Sequence, residues 1–223
     1  MLESIAVIPD GNRRYAKKSN LSLLEAYEKG FSKAEEFLDW CLEKGIKEVT
    51  MWAFSTENLK RPKEELSLLE RLFSKHLSEL AENEKVHRNK VKVRIIGMKE
   101  YLSKFSKEIK KIKTATKDYS SFVLNIALGY GGKEELLTAF KQAVSKKPVH
   151  EITEQDITEN LYVKKSPDLI IRTGGYQRLS GYLLWQSAYS ELFFSKKLWP
   201  EFSRQDFEKA IEFYSSSKRN FGK

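Results

Sequence analysis

The sequence predicts a single α/β domain over residues 1–223, with a mainly parallel central sheet flanked by helices. Three observations point there. Short apolar runs rich in β-branched and aromatic residues alternate with longer amphipathic segments along the whole chain, the pattern of strands joined by crossover helices. No internal repeat, low-complexity tract or linker rich in Pro, Gly or Ser divides it. A hydrophobic fraction of 40% over 223 residues is ample for one core.

Taken in order, Ile5–Ile8 is a short apolar run and Leu23–Glu43 reads as a helix. Glu48–Phe54 reads as a strand. Lys63–Arg88 reads as one long charged helix whose Leu66, Leu69, Leu72, Phe73, Leu77 and Leu80 form a single buried stripe. Val91–Ile96 is a strand, Glu100–Lys117 a lysine-rich helix, Ser121–Ala127 a strand and Lys133–Val144 a helix. Asp168–Ile171 and Glu191–Phe194 complete the strands, and Arg204–Ser215 is the last helix. Ligands of such sheets sit beyond the carboxyl ends of the strands, so the chemistry is sought just after Ile8, Phe54, Gly97, Ala127 and Ile171.

A formal net charge of +9, with 32% charged residues, implies a basic surface that attracts phosphate of any kind: nucleic acid, anionic lipid or diphosphate. The lone cysteine, Cys41, excludes a disulfide within one chain and suits a reducing cytosol. No signal peptide and no run near the roughly 18 apolar residues of a membrane span are seen. The expectation is a soluble, cytoplasmic protein able to touch a membrane peripherally, for instance through the basic stretch Lys104–Lys117. His76, His87 and His150 form no metal set with nearby cysteines. Trp185, Tyr189, Phe193 and Phe194 read as core or dimer contacts.

Gly129-Tyr-Gly-Gly-Lys133 imitates a phosphate loop. It lacks the first glycine, replaced by Ala127, and the hydroxyl after the lysine, replaced by Glu134. A strand-to-helix turn at Gly131–Gly132 explains it. Three other loops carry more. The first strand ends in Pro9-Asp10-Gly11-Asn12-Arg13-Arg14, where one acid among anion binders makes sense if Mg²⁺ bridges it to a diphosphate. Arg172-Thr-Gly-Gly-Tyr-Gln-Arg178-Leu-Ser180 sets two guanidinium forks and a hydroxyl around paired glycines. Ser55-Thr-Glu-Asn-Leu-Lys-Arg61-Pro62 is long and polar enough for a lid.

With Asn125-Ile-Ala, Tyr130-Gly-Gly132, Leu184-Trp-Gln186 and Ala188-Tyr-Ser-Glu191, these loops occur in an order in which the chain resembles the cis-prenyltransferases, the undecaprenyl diphosphate synthase family. The resemblance covers nearly the whole chain. It implies a magnesium-dependent transferase that lengthens an allylic diphosphate with isopentenyl diphosphate, the product entering an apolar tunnel between sheet and helices. By resemblance Asp10 is the metal-linked catalytic acid. Gly11, Asn12, Arg13 and Arg14, with Tyr15 beside them, hold the allylic diphosphate. Asn58 lies in the proton-removal region near Ser55, Thr56, Glu57 and Arg61. Arg172, Arg178, Leu179 and Ser180 form the isopentenyl diphosphate site, and Glu191 is the second metal-linked carboxylate. The absence of adjacent aspartates separates the chain from the trans-prenyltransferases.

Several positions depart from the bacterial pattern. Leu23 and Tyr27 stand for an arginine and a histidine, Leu59 for a tryptophan, Tyr176 for a glutamate, and Asn220 for the arginine that crosses the dimer. The resemblance therefore implies a homodimer or, if Arg219 does not substitute for that arginine, a catalytic chain served by a different partner. A basic nucleic-acid-binding protein is the competing reading on charge alone; it assigns Asp10 no role, and nucleic acid is not the expected partner.

Overall fold

The computed structural model describes residues 1–217. Six strands form one sheet: β1 (Ser4–Ile8), β2 (Glu48–Ser55), β3 (Val91–Ile96), β4 (Phe122–Tyr130), β5 (Leu169–Arg172) and β6 (Glu191–Phe194), in the order β3-β4-β2-β1-β5-β6 with every pairing parallel. Parallel strands need covered faces, and the two-residue period divides the sheet between two cores. Ile5, Val7, Val49, Met51, Leu169 and Ile171 point into the larger one, while Ala6, Ile8, Trp52 and Ile170 point into the smaller.

The helices are α1 (Asn12–Lys18), α2 (Leu23–Glu43), α3 (Lys63–Leu80), α4 (Glu84–Arg88), α5 (Lys99–Leu102), α6 (Ser106–Thr116), α7 (Gly132–Val144), α8 (Glu154–Glu159) and α9 (Arg204–Ser216). The expected single helix Lys63–Arg88 is two. Asn83 interrupts it because its side-chain oxygen accepts from the N–H groups of Lys85 and Val86, at 2.9 and 3.4 Å, and so caps a new helix rather than continuing the old one. The expected helix Glu100–Lys117 likewise divides at a 3₁₀ turn, Ser103–Phe105. Strand β4 runs three residues past Ala127 to Tyr130, which pairs with Ser55, so Gly129 belongs to the sheet and the turn into α7 falls at Gly131.

Strand order fixes where a ligand can sit. From β1 the chain moves to β2 on one side. After β5, on the other side of β1, it moves away to β6. Connections that leave neighbouring strands in opposite directions open a crevice at their carboxyl ends. Asp10, in the loop after β1, and Arg172, the last residue of β5, stand on its two walls.

Candidate active site

Beyond Ile8 the chain turns sharply, the Asp10 N–H donating to the Ile8 carbonyl at 2.9 Å. Gly11 follows at φ +123°, where a Cβ would also lie 2.9 Å from the Leu198 side chain, so both conformation and space require glycine. The Asp10 main chain is pinned independently of its side chain. Its carbonyl accepts from the Thr173 hydroxyl at 2.8 Å and from the Trp199 N–H at 3.0 Å.

The Asp10 carboxylate joins the two walls. One oxygen accepts from Arg14 and the other from Arg172, both at 3.0 Å. Arg14 also donates to the Gly174 carbonyl at 2.6 Å. Arg172, only 6% exposed, donates to the Ser180 hydroxyl at 2.7 Å and to the Arg178 carbonyl. Its Nε is buried without a hydrogen-bond partner among the described residues. Ser180 sits at φ +53°, a conformation that β5's following loop imposes and that the Gly132 N–H secures one residue later by donating to the Gly181 carbonyl at 3.0 Å. Tyr176 lies against this group, with the guanidiniums of Arg178, Arg14 and Arg172 at 4.2, 4.8 and 5.7 Å from its ring centre.

Asp10, Arg14, Arg172 and Ser180 line a cavity of about 780 Å³ that is also lined by the apolar residues Phe31, Ala34, Met51, Phe54, Leu69 and Phe73. The third loop forms another part of the rim. Ser55 and Asn58 cap each other: the Ser55 hydroxyl accepts from the Asn58 N–H at 3.2 Å, and Asn58 Oδ1 accepts from the Ser55 N–H at 3.1 Å. That uses one of the amide oxygen's two lone pairs and leaves the Asn58 amide N–H donors without a protein partner among the described residues. Arg61 donates to the Tyr27 hydroxyl at 3.0 Å and to Glu65 at 3.1 Å, while Tyr27 donates to the same Glu65 oxygen at 2.7 Å and Arg13 approaches it at 3.7 Å. Burial, then the hydrogen bond to Glu65, pushes the Tyr27 phenol well above its ordinary value, so it stays neutral.

Of the residues singled out in the sequence, Asp10, Gly11, Asn12, Arg13, Arg14, Ser55, Glu57, Asn58, Arg61, Arg172 and Ser180 line the cavity. Asn12 fills the space above Gly30, whose missing Cβ would fall 2.4 Å from Asn12 Oδ1. Tyr15 is half-buried on α1, Thr56 packs on Gly131, Leu179 packs against the smaller core, and Arg178 lies outside the wall over Tyr176. Glu191 is not brought to the others. It begins β6 level with Leu169 and hence with Ile5, whereas Asp10 lies past the far end of β1, and the three residues from Ile5 to Ile8 alone span about 10 Å. Within one chain the two carboxylates therefore cannot share an ion. Among the described residues no group of three His, Cys, Asp or Glu is arranged to hold a metal. Glu65 was not legible as a site residue, since it sits in a run of helical charge. The available signal was its i, i+4 spacing from Arg61 across Pro62.

Residues 8–222 match the family model described as "Putative undecaprenyl diphosphate synthase". An isoprenyl transferase of Thermus thermophilus is 45% identical over 235 aligned residues, covering 100% of this chain and 89% of the relative. A tritrans,polycis-undecaprenyl-diphosphate synthase (geranylgeranyl-diphosphate specific) of Pyrobaculum aerophilum is 46% identical, covering 98% and 95%. The crystal structure of lavandulyl diphosphate synthase from Lavandula x intermedia, in complex with dimethylallyl diphosphate, superposes with a TM-score of 0.91 at 28% identity, covering 99% of this chain and 98% of that one. A parallel sheet with its carboxylate–arginine crevice at the β1/β5 switch, matched over nearly its whole length, makes the chain a member of the cis-prenyltransferase family.

Proposed function

We propose that this enzyme condenses isopentenyl diphosphate with an allylic diphosphate at the crevice between β1 and β5, and that Asp10, Arg14 and Arg172 are the centre of that site. The observation that carries the reading is one carboxylate held between two arginines in a cavity that apolar side chains also line. The isopentenyl double bond attacks the allylic carbon, the carbon–oxygen bond to diphosphate breaks, and loss of a proton from the new cation leaves a cis double bond. Negative charge grows on the departing diphosphate, so guanidiniums fixed beforehand contribute most to the rate. Arg14 and Arg172 are fixed by Asp10 and by backbone carbonyls, and Asn58 adds N–H donors. The prenyl chain lies along the apolar wall between β2 and helices α2 and α3.

A divalent cation, taken as Mg²⁺, fits the donor set in one way. Mg²⁺ is commonly held by one or two carboxylates plus substrate phosphates, and Asp10 is a partly exposed carboxylate facing the cavity. Asp10 and the diphosphate oxygens would hold the ion, which offsets charge on the leaving group. Allylic primers to test include geranylgeranyl and dimethylallyl diphosphate, the compounds named with the relatives above. The protein alone, given Mg²⁺, labelled isopentenyl diphosphate and a primer panel, is expected to make elongated products that chromatography can size. No elongation with any primer would overturn self-sufficiency and favour a partner chain.

The two diphosphate pockets adjoin more closely than separate loops suggest, because Arg172 touches Asp10 directly. Arg178 is the cleaner probe of the isopentenyl side. Arg178→Ala is expected to raise the Michaelis constant for isopentenyl diphosphate by about tenfold, the value of one charge-assisted contact, and that for the primer far less. Equal weakening of both substrates contradicts the assignment.

For assembly we propose a dimer through the segment from Trp185 to Phe194, which is half-buried in one chain and leaves Tyr189 78% exposed. Sedimentation should give twice the chain mass; a stable monomer refutes it. Arg219 and Asn220 lie outside the described residues. No helix among the described residues is long and apolar enough to cross a membrane.

A further inference from the structure

The loop after β5 gathers three positive charges against one carboxylate. Arg14 and Arg172 each hold an Asp10 oxygen, but Arg178 has neither a carboxylate partner nor a side-chain hydrogen bond among the described residues. Its guanidinium nevertheless lies 4.2 Å from the centre of the Tyr176 ring, nearer than either of the other two. All three are inside the roughly 6 Å range in which a ring face attracts a cation. Two neighbouring glycines at positive φ, Gly174 at +86° and Gly175 at +81°, bring the ring to this place. Their N–H groups are tied to the carbonyls of Lys197 at 2.7 Å and Ser195 at 2.9 Å.

We propose that Tyr176 is a positioning residue for isopentenyl diphosphate, its ring serving as a neutral platform that orders Arg178 without neutralising it. The inference rests on reading the Arg172–Ser180 loop as a diphosphate site. A carboxylate in the same place would order Arg178 by taking two of its N–H donors and cancelling its charge. A ring face attracts the guanidinium through its quadrupole and leaves the N–H edge directed outward. The exposed Arg178 is thus held ready for phosphate oxygens, and the side-chain freedom that diphosphate binding would otherwise remove is already reduced.

Calorimetric binding of inorganic diphosphate, at fixed ionic strength and without metal, tests this on wild type, Tyr176→Phe, Tyr176→Leu, Arg178→Ala and the Tyr176→Leu/Arg178→Ala double variant. Tyr176→Leu is expected to weaken binding about fivefold. Tyr176→Phe should stay within about twofold of wild type, because the ring and not the hydroxyl acts. In the Arg178→Ala background Tyr176→Leu should add nothing, because the group it positions is gone. In steady-state assays Tyr176→Leu should raise the Michaelis constant for isopentenyl diphosphate with little change in kcat. Wild-type binding by Tyr176→Leu, equal loss in Tyr176→Phe, or multiplying losses in the double variant would each overturn the proposal. If Arg178→Ala itself binds diphosphate normally, the reading of the loop as a diphosphate site fails, and the proposal with it.

Discussion

Replacing Asp10 by alanine is expected to lower the single-turnover rate by about a hundredfold or more at saturating substrates and Mg²⁺, while the protein remains folded. The two halves of this expectation come from different atoms. The carboxylate fixes Arg14 on one wall and Arg172 on the other, at 3.0 Å each, and is the group placed to face a diphosphate-bound cation. Without it two guanidiniums lose their shared anchor, and Arg172, almost fully buried, keeps hydrogen bonds only to Ser180 and the Arg178 carbonyl among the described residues. The fold depends instead on the Asp10 main chain, whose carbonyl continues to accept from Thr173 and Trp199. The far-ultraviolet spectrum should therefore be retained, and asparagine, which keeps the shape but not the charge, should be nearly as inactive. Near-normal turnover in Asp10→Ala would remove Asp10 from the centre of the reaction.

The largest stability effect is expected at Glu65. Its carboxylate is 5% exposed and a single oxygen receives Tyr27, Arg61 and, more distantly, Arg13. Removing one partner of a buried ion pair leaves the other charge uncompensated, so Glu65→Ala should cost about 3 kcal/mol. For a chain of this size that corresponds to a Tm lower by roughly 10 °C. Activity should fall as well, since Arg13 and Arg61 line the cavity and both lose the group that aims them. Glu65→Gln keeps an acceptor for Tyr27 and should lose less of both. Thermal unfolding decides the point: a Tm within about 2 °C of wild type for Glu65→Ala would mean that Arg61 and Tyr27 are satisfied without Glu65.

The Asp10 and Arg172 loops were legible in the sequence because each couples a strand end to an unusual set of anion-binding types. That their side chains meet was not legible, because 162 residues separate them. Lys63–Arg88 kept its apolar stripe but not its continuity. Hydrophobic period reports which face is buried, whereas the break at Asn83 depends on one side-chain oxygen competing for backbone N–H groups. The short helices α1 and α8 had no apolar period long enough to register. Asn58 carries the same lesson at the level of one atom: its residue type was legible, but the bond that its amide oxygen accepts from the Ser55 N–H was not. Glu191 was placed with Asp10 by resemblance of motifs, and the sheet register puts it at the opposite end of the strands.

By itself the sequence determined the fold class, the positions of the six strands and the chemical types gathered in three loops. Each of these follows from local period, turn chemistry and charge, which neighbouring residues express without reference to distant ones. Only the tertiary structure decided the strand order that opens the crevice between β1 and β5. It also decided the sharing of one Asp10 carboxylate by two arginines, the burial of Glu65 beneath Tyr27 and Arg61, and the seating of three guanidiniums around Tyr176. Those outcomes are set by which surfaces meet when both faces of a parallel sheet are covered at once, and that choice is made by packing across the whole chain.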